Sequence, residues 1–289
     1  MPVKPTYAHN QSPFYKLKSR AKLAAILIIS PAELRALSRG ANELYREFDA
    51  PKKSGGTRRV ENPCNPLKRV QARIFRTLAR ITPPDFLFCP VKRRCYVGNA
   101  AAHRGHRVIQ CLDIRKFFPN TPQRRVFWFF RKIMRCESDI AGTLANLACY
   151  KEHLPTGSPL SPIMAYFAFY DLWGRIAAFC KDRGYTFTVY IDDVTISGQR
   201  VPKADMWEVQ KMIHGCGLEY HKAKTFVDRP AEVTGVIVNG DKLMAPFRQH
   251  KKRHEARGML SGSEGLERKA LLGQLAGLEG QIKQIAQKN

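Results

Sequence analysis

"TFTVYIDDVTISG", Thr186–Gly198, is the stretch on which the fold turns. Phe187, Val189 and Ile191 alternate with Thr186, Thr188 and Tyr190, the two-residue period of a β-strand. Val194–Ile196 resumes the strand after two aspartates. The spacing predicts a hairpin with Asp192 and Asp193 at its tight turn. Aspartate is a good turn residue, so the pair alone supports a structural reading as well as a chemical one. Yet two adjacent like charges in apolar surroundings are costly unless something positive sits between them.

A third carboxylate shifts the balance. In "VIQCLDIRKFFP" (Val108–Pro119) a short apolar run reads as a buried strand and ends at Asp113. Three carboxylates at strand ends of one sheet can converge on a pair of Mg²⁺ ions, which supply the missing positive charge. Two such metals stabilise the attacking and leaving oxygens of an in-line phosphoryl transfer.

The rest of the chain fits that chemistry. Its 289 residues carry 49 Lys and Arg against 24 Asp and Glu, a net charge of +25, with 44% hydrophobic residues. That hydrophobic content suits a globular protein, and the charge favours a polyanion. Basic clusters recur at Lys16–Arg20, Lys52–Arg59, Lys92–Arg94, Arg115–Lys116 and Lys251–Arg253. Nucleic acid fits better than a membrane surface, because no basic amphipathic helix with a rich apolar face stands out. No apolar run is long enough to span a bilayer. Ala21–Ile29 faintly resembles a signal peptide but runs into "SPAELRAL", a helix start with Ser30, Pro31 and Glu33 in capping positions. The eight cysteines are scattered without a CxxC pair, as in reduced cytosolic proteins. The expected location is the cytoplasm. Cys89, Cys95, His103 and His106 match no common zinc-finger spacing.

Residues 1–50 read as mainly helical, with Leu34, Leu37, Leu44 and Phe48 near helical spacing. "KKSGGTRR" (Lys52–Arg59) reads as a cationic glycine turn joining two short strands. Leu67–Ile81, Val126–Met134, Ile140–Tyr150 and Met206–Cys216 read as helices, Val233–Val238 as one strand, and the chain from Lys251 as basic helix.

"CLDIRKFFP", "LPTGSPLSP" (Leu154–Pro162), "YIDDVTISG", "GLEYHKAKT" (Gly217–Thr225) and "VTGVIVN" (Val233–Asn239) resemble, in order, the palm motifs of reverse transcriptases. The resemblance implies an α+β right-hand polymerase, with an antiparallel palm sheet backed by helices. Its expected bounds are N-terminal helices and fingers at 1–105 and palm at 106–240, with part of the fingers inserted around 119–160. A helical thumb follows at 241–289. Asn99-Ala-x-x-His103 in "VGNAAAHRGH" and Val233-Thr234-Gly235 resemble signatures of the bacterial retron branch. Those enzymes copy part of a dedicated structured non-coding RNA from a 2′-hydroxyl, giving branched RNA–DNA (msDNA). They commonly work with a separate effector protein in anti-phage defence.

By that resemblance Asp113, Asp192 and Asp193, with the backbone of Ile114, hold two Mg²⁺, with Mn²⁺ able to substitute. Arg115 and its backbone face the triphosphate of an incoming dNTP. Arg58 and Arg59 of the fingers hold that triphosphate, with Lys53 a further candidate. Phe118 carries the sugar and excludes a 2′-hydroxyl, although Phe117 and Phe118 can equally be read as core. Thr156 and Gly157 seat the nucleotide. Thr156 stands where many relatives have Gln, and Tyr166 and His221 stand where Asn is common. Lys224 is the general acid for departing pyrophosphate. Asn99, His103, Val233, Thr234 and Gly235 are expected to recognise the cognate RNA, with a satisfied loop histidine and plain strand as the bland readings. Lys251, Lys252, Arg253, Arg257, Arg268 and Lys269 are expected to track the template–primer. No nuclease, RNase H, protease or maturase motif is expected. Alternatives are another stand-alone prokaryotic reverse transcriptase, of the diversity-generating or abortive-infection type, and a non-catalytic RNA-binding scaffold.

Overall fold

A computed structural model describes residues 5–51 and 55–288. In chain order come α1 (Arg20–Leu27), α2 (Pro31–Arg39), β1 (Tyr45–Pro51), β2 (Thr57–Pro63), α3 (Asn65–Leu78), β3 (Leu87–Cys89), α4 (Tyr96–Ala101) and β4 (Val108–Ile114). Next are α5 (Gln123–Trp128), α6 (Ser138–Ala148), α7 (Ser161–Ala168), α8 (Tyr170–Asp182), β5 (Thr186–Tyr190), β6 (Asp193–Gly198) and α9 (Lys203–Gly215). β7 (Tyr220–Val227), β8 (Ala231–Val233), β9 (Val236–Asn239), β10 (Lys242–Met244), α10 (Phe247–Leu260) and α11 (Gly265–Ala286) complete the chain. No helix among the described residues is long and apolar enough to cross a membrane.

These elements form two compact units. The first takes the described residues through Pro84, then Ile114–Ile176 and Val209–Glu219. The second takes Asp85–Asp113, Ala177–Glu208 and the chain from Tyr220.

The first unit is helical around a two-stranded ribbon. Its α2 starts as its sequence dictates: the Ser30 hydroxyl accepts from the Glu33 N–H, and the Glu33 carboxylate accepts from the Ser30 N–H. The helical reading of residues 1–50 fails beyond Gly40. Leu44 ends a short 3₁₀ turn, and Phe48 lies on β1, half exposed and opposite Val60. Pairing with β2 overrides the helical spacing there, and the expected strand pair around the glycine turn is present on both flanks. Lys53 lies outside the described residues. Aromatic packing fills the interior: Phe129 stacks on Phe167 at 4.7 Å, and Phe117 on Phe169 at 5.9 Å.

The second unit is built on a five-stranded sheet of order β3-β5-β6-β4-β7. β6 is central and antiparallel to both β5 and β4. The sheet is not wholly antiparallel, as expected of the palm, because edge strand β3 runs parallel to β5. A second sheet, β10-β9-β8, is antiparallel. Val233–Val238 is therefore not one strand. Thr234 and Gly235 form a two-residue turn with φ of +45° and +85°, which reverses β8 into β9. Val97, Ala100, Ile109, Val233, Val236 and Ile285 pack into one apolar cluster, so the end of α11 is anchored in this unit.

Candidate active site

The three expected carboxylates meet in the second unit. Asp113 on β4 lies directly opposite Asp193 on β6. Asp193 is also the register partner of Tyr190. The turn proper is Ile191–Asp192, so Asp193 is the first residue of β6 rather than a turn residue. Ile191 has φ +59°, unusual for a β-branched side chain and worth on the order of 1–3 kcal/mol of strain. The flanking strands hold that turn closed, since Val189 and Val194 pair and are both buried.

Like charges directly opposite one another on a sheet destabilise it. The effect is visible in the acidities. Burial, then Asp192 and Asp113, push the Asp193 carboxyl up to about 7, and Lys224 pulls it back. Burial and Asp113 also raise Asp192. Lys224 projects from β7 into a cavity of about 260 Å³ lined also by Asp113, Asp193, Tyr190, Glu232 and Thr234. Lys224 lies within strand β7, not at a helix end. The Glu232 carboxylate accepts two hydrogen bonds from Arg248, at 2.8 and 2.5 Å.

Among the described residues no three His, Cys, Asp or Glu side chains stand as a ready-made ligand cluster. The fit to a divalent cation is one of donor chemistry. Half-buried carboxylates that repel one another, with Lys222 and Lys224 lining the same cavity, are the hard oxygen donors that Mg²⁺ takes.

Asn99 and His103 do not face solvent. Both are fully buried. His103 hydrogen-bonds Thr188 on β5 at 2.8 Å and Ser197 on β6 at 2.6 Å. His106 bonds the same Ser197 hydroxyl at 2.7 Å. A hydroxyl has one proton to give, so at least one of these imidazoles carries its proton on Nδ1. The Asn99 amide donates to the Thr234 hydroxyl at 3.2 Å, and Thr234 donates to the Tyr96 carbonyl at 3.1 Å. The two signatures are thus a brace: the segment of α4 ties the Asp192 hairpin to the β8–β9 turn. For Asn99 and His103 the expected role of reading RNA directly is corrected to a structural one, because neither side chain is accessible, whereas Thr234 and Gly235 are only half-buried.

The first unit carries the remaining candidates. Phe117 is core, packed on Phe169 and Trp173, while Phe118 is half-buried. Of the two rings, Phe118 is the one left partly exposed. Arg58 and Arg59 are successive strand residues and point to opposite faces. Arg59 pairs with Glu47, whose carboxyl is held down to about 2 by Tyr150, Lys151 and Arg59. Arg58 is exposed and has no such partner among the described residues. Thr156 latches its loop to β2: its hydroxyl donates to the Arg59 carbonyl at 2.9 Å and accepts from the Glu61 N–H at 3.2 Å. Gly157 is required there, since a Cβ would lie 2.6 Å from the Glu61 carbonyl oxygen. The Arg115 N–H donates to the Glu219 carbonyl at 2.7 Å, so that amide is already engaged, and the Ile114 side chain is buried.

In the second unit, Lys251, Lys252 and Arg257 are exposed on α10, with Arg253 half-buried. Arg257 pairs with Glu279 of α11 at 2.5 Å.

Glu61, Ser197 and Thr188 went unread as site residues. For Thr188 and Ser197 the available signal is polar residues recurring inside the otherwise apolar stretch Thr186–Gly198; Glu61 carries no such signal.

A family described as "Reverse transcriptase (RNA-dependent DNA polymerase)" matches residues 50–238. The chain belongs to the reverse transcriptase family. It is 30% identical over 223 residues to the retron Ec86 reverse transcriptase of Escherichia coli, covering 74% of this chain and 69% of that one. Against the retron Se72 reverse transcriptase of Salmonella heidelberg (strain 579083-10) it is 28% identical, covering 79% and 63%. Against the retron Mx65 reverse transcriptase of Myxococcus xanthus it is 31% identical, covering 77% and 58%. The match therefore spans about three-fifths to two-thirds of these relatives' own length. Resemblance to the retron branch, first read from short strings, extends over most of the chain.

Proposed function

We propose that this chain is the RNA-directed DNA polymerase of a retron. It copies part of a structured non-coding RNA from a 2′-hydroxyl and leaves branched RNA–DNA, within an anti-phage system that includes a separate effector. The observation that carries the reading is the placement of Asp113 opposite Asp193 with Asp192 in the adjoining tight turn.

Asp113, Asp192, Asp193 and the Ile114 carbonyl would hold two Mg²⁺ ions. When bound, these supply Lewis-acid activation of the attacking hydroxyl and charge neutralisation at the leaving phosphate. Phe118 sets the sugar preference. Arg58 takes the triphosphate directly, while Arg59 must first leave Glu47. Thr156 and Gly157 act by holding their loop on β2. The Thr234–Gly235 turn and the α10 cations Lys251, Lys252, Arg253 and Arg257 meet the RNA and the growing duplex. The fingers, palm and thumb take the bounds expected from the sequence.

The test is to sequence nucleic acid that co-purifies with the protein. DNA joined to RNA through a 2′-linked branch supports the retron reading. Magnesium-dependent extension of a generic primer without any branched product would leave the stand-alone alternative.

A further inference from the structure

A cleft in the first unit, lined by none of the residues of the polymerase motifs, has the chemistry of an anion site. It lies between α1, α2 and α6, with a volume of about 300 Å³. Its lining includes Arg20, Arg35, Ser38, Arg39, Asp139 and Asn146.

The hydrogen-bonding capacity of this cleft is lopsided. Its one carboxylate is already committed at both oxygens. Asp139 Oδ2 accepts from Arg20 at 2.9 Å, and Oδ1 accepts from the Ile140 N–H at 2.9 Å. The Asn146 carbonyl oxygen accepts from Gln123 at 2.6 Å, which leaves its NH₂ as a donor. Arg35 and Arg39 have no ion pair among the described residues and are exposed. They sit one turn apart on α2, so two like charges share one face, an arrangement that costs a few tenths of a kcal/mol in an isolated helix. The position of Arg39 in the last turn of α2 suits the helix dipole, but Arg35 has no such reason. What remains in the cleft is almost all donor.

The backbone points the same way. Gly142 lies inside α6, where glycine is disfavoured by roughly 1 kcal/mol relative to alanine. Apart from its own helix backbone, nothing lies within 4 Å of where its Cβ would be, so packing does not demand it. Its bare backbone leaves the cleft open. Between Lys16 and Arg39 the chain carries six basic residues and one acid, Glu33, which is spent in the α2 cap.

We infer that this cleft binds the phosphodiester backbone of RNA, with Arg35 and Arg39 as the phosphate ligands. Guanidinium groups match phosphate geometry, and unpaired donors suit its oxygens. The choice of RNA as the bearer of the phosphate rests on the proposed retron function; the anion chemistry does not.

The experiment measures binding of a fluorescent RNA hairpin of arbitrary sequence across a salt series. The Arg35→Gln/Arg39→Gln double variant is compared with an Arg76→Gln/Arg124→Gln control, which removes the same charge from exposed arginines outside the cleft. The cleft variant is expected to lower the slope of log affinity against log salt by about 1–2, with roughly tenfold weaker binding at moderate salt. Gly142→Glu, which fills the cleft with a negative charge, is expected to do the same. All substitutions are on exposed or open positions, and unchanged melting confirms the fold. Equal effects of the cleft and control variants would overturn the proposal. So would loss of binding to polyglutamate with hairpin binding intact, which would make the cleft a dock for an acidic protein segment. Failure of primer extension in the wild type would instead strike the polymerase reading and leave the cleft result standing.

Discussion

His103 and Ser197 lie 2.6 Å apart in the solvent-free interior of the second unit. The same imidazole reaches Thr188 on the facing strand, so one ring stitches β5 to β6 a few residues from Asp192 and Asp193. His103→Ala leaves the buried Thr188 hydroxyl without this partner and opens a cavity. It is expected to lower unfolding free energy by about 2–4 kcal/mol, measured by urea titration. Extension should fall together on generic and structured templates. Selective loss on the structured RNA alone, in a folded variant, would restore the RNA-reading role.

Acidification should expose the same residue. Burial, with His106 adding, pushes the His103 imidazole down to about 3, whereas in the unfolded chain it titrates near 6.5. Folding therefore favours the neutral ring. The contribution is complete above about pH 6.5 and is lost as pH falls toward 3. Between pH 7 and 5 the loss is about 2 kcal/mol. Urea unfolding of wild type and His103→Gln at both pH values checks this: the gap between them should narrow at the lower pH. A constant gap would mean the ring is not held neutral.

Gly157 offers a steric test. A Cβ there meets the Glu61 carbonyl oxygen at 2.6 Å, and backbone cannot move aside cheaply. Gly157→Ala is expected to cost about 1–3 kcal/mol and to loosen the Thr156 latch. Thermal melting reads the first effect. Proteolysis within Leu154–Pro162 reads the second.

Phe117 and Phe118 should separate cleanly. Phe117→Val removes core packing against Phe169 and Trp173 and is expected to lower stability by about 1–3 kcal/mol. Phe118→Val is expected to melt near wild type and to admit ribonucleotides more readily in a competition assay. Altered sugar discrimination in Phe117→Val alone would reverse the assignment.

Much of this was legible in the sequence, and the gaps have physical causes. The hairpin around Asp192 and the strand ending at Asp113 showed themselves because strand period and apolar content agree there. The capping box at Ser30 and Glu33 was equally plain, being local chemistry. Phe48 misled because an exposed ribbon strand buries little and leaves no clear period. Thr234–Gly235 was read as strand interior, although the glycine marked the turn. Asn99 and His103 were misassigned because their partners, Thr234, Thr188 and Ser197, are distant in sequence. Thr188 on β5 and Ser197 on β6 are polar by sequence, yet both are buried and bonded to that histidine.

The most direct measurement is DNA synthesis by Asp193→Asn, alongside its affinity for an RNA hairpin. Asp193 faces Asp113 across the sheet and follows the strained turn, so the amide would keep the shape and remove the charge a divalent ion needs. The expected result is loss of primer extension with RNA binding retained or slightly tighter. Extension near the wild-type rate by a folded Asp193→Asn protein would contradict the assignment of this site.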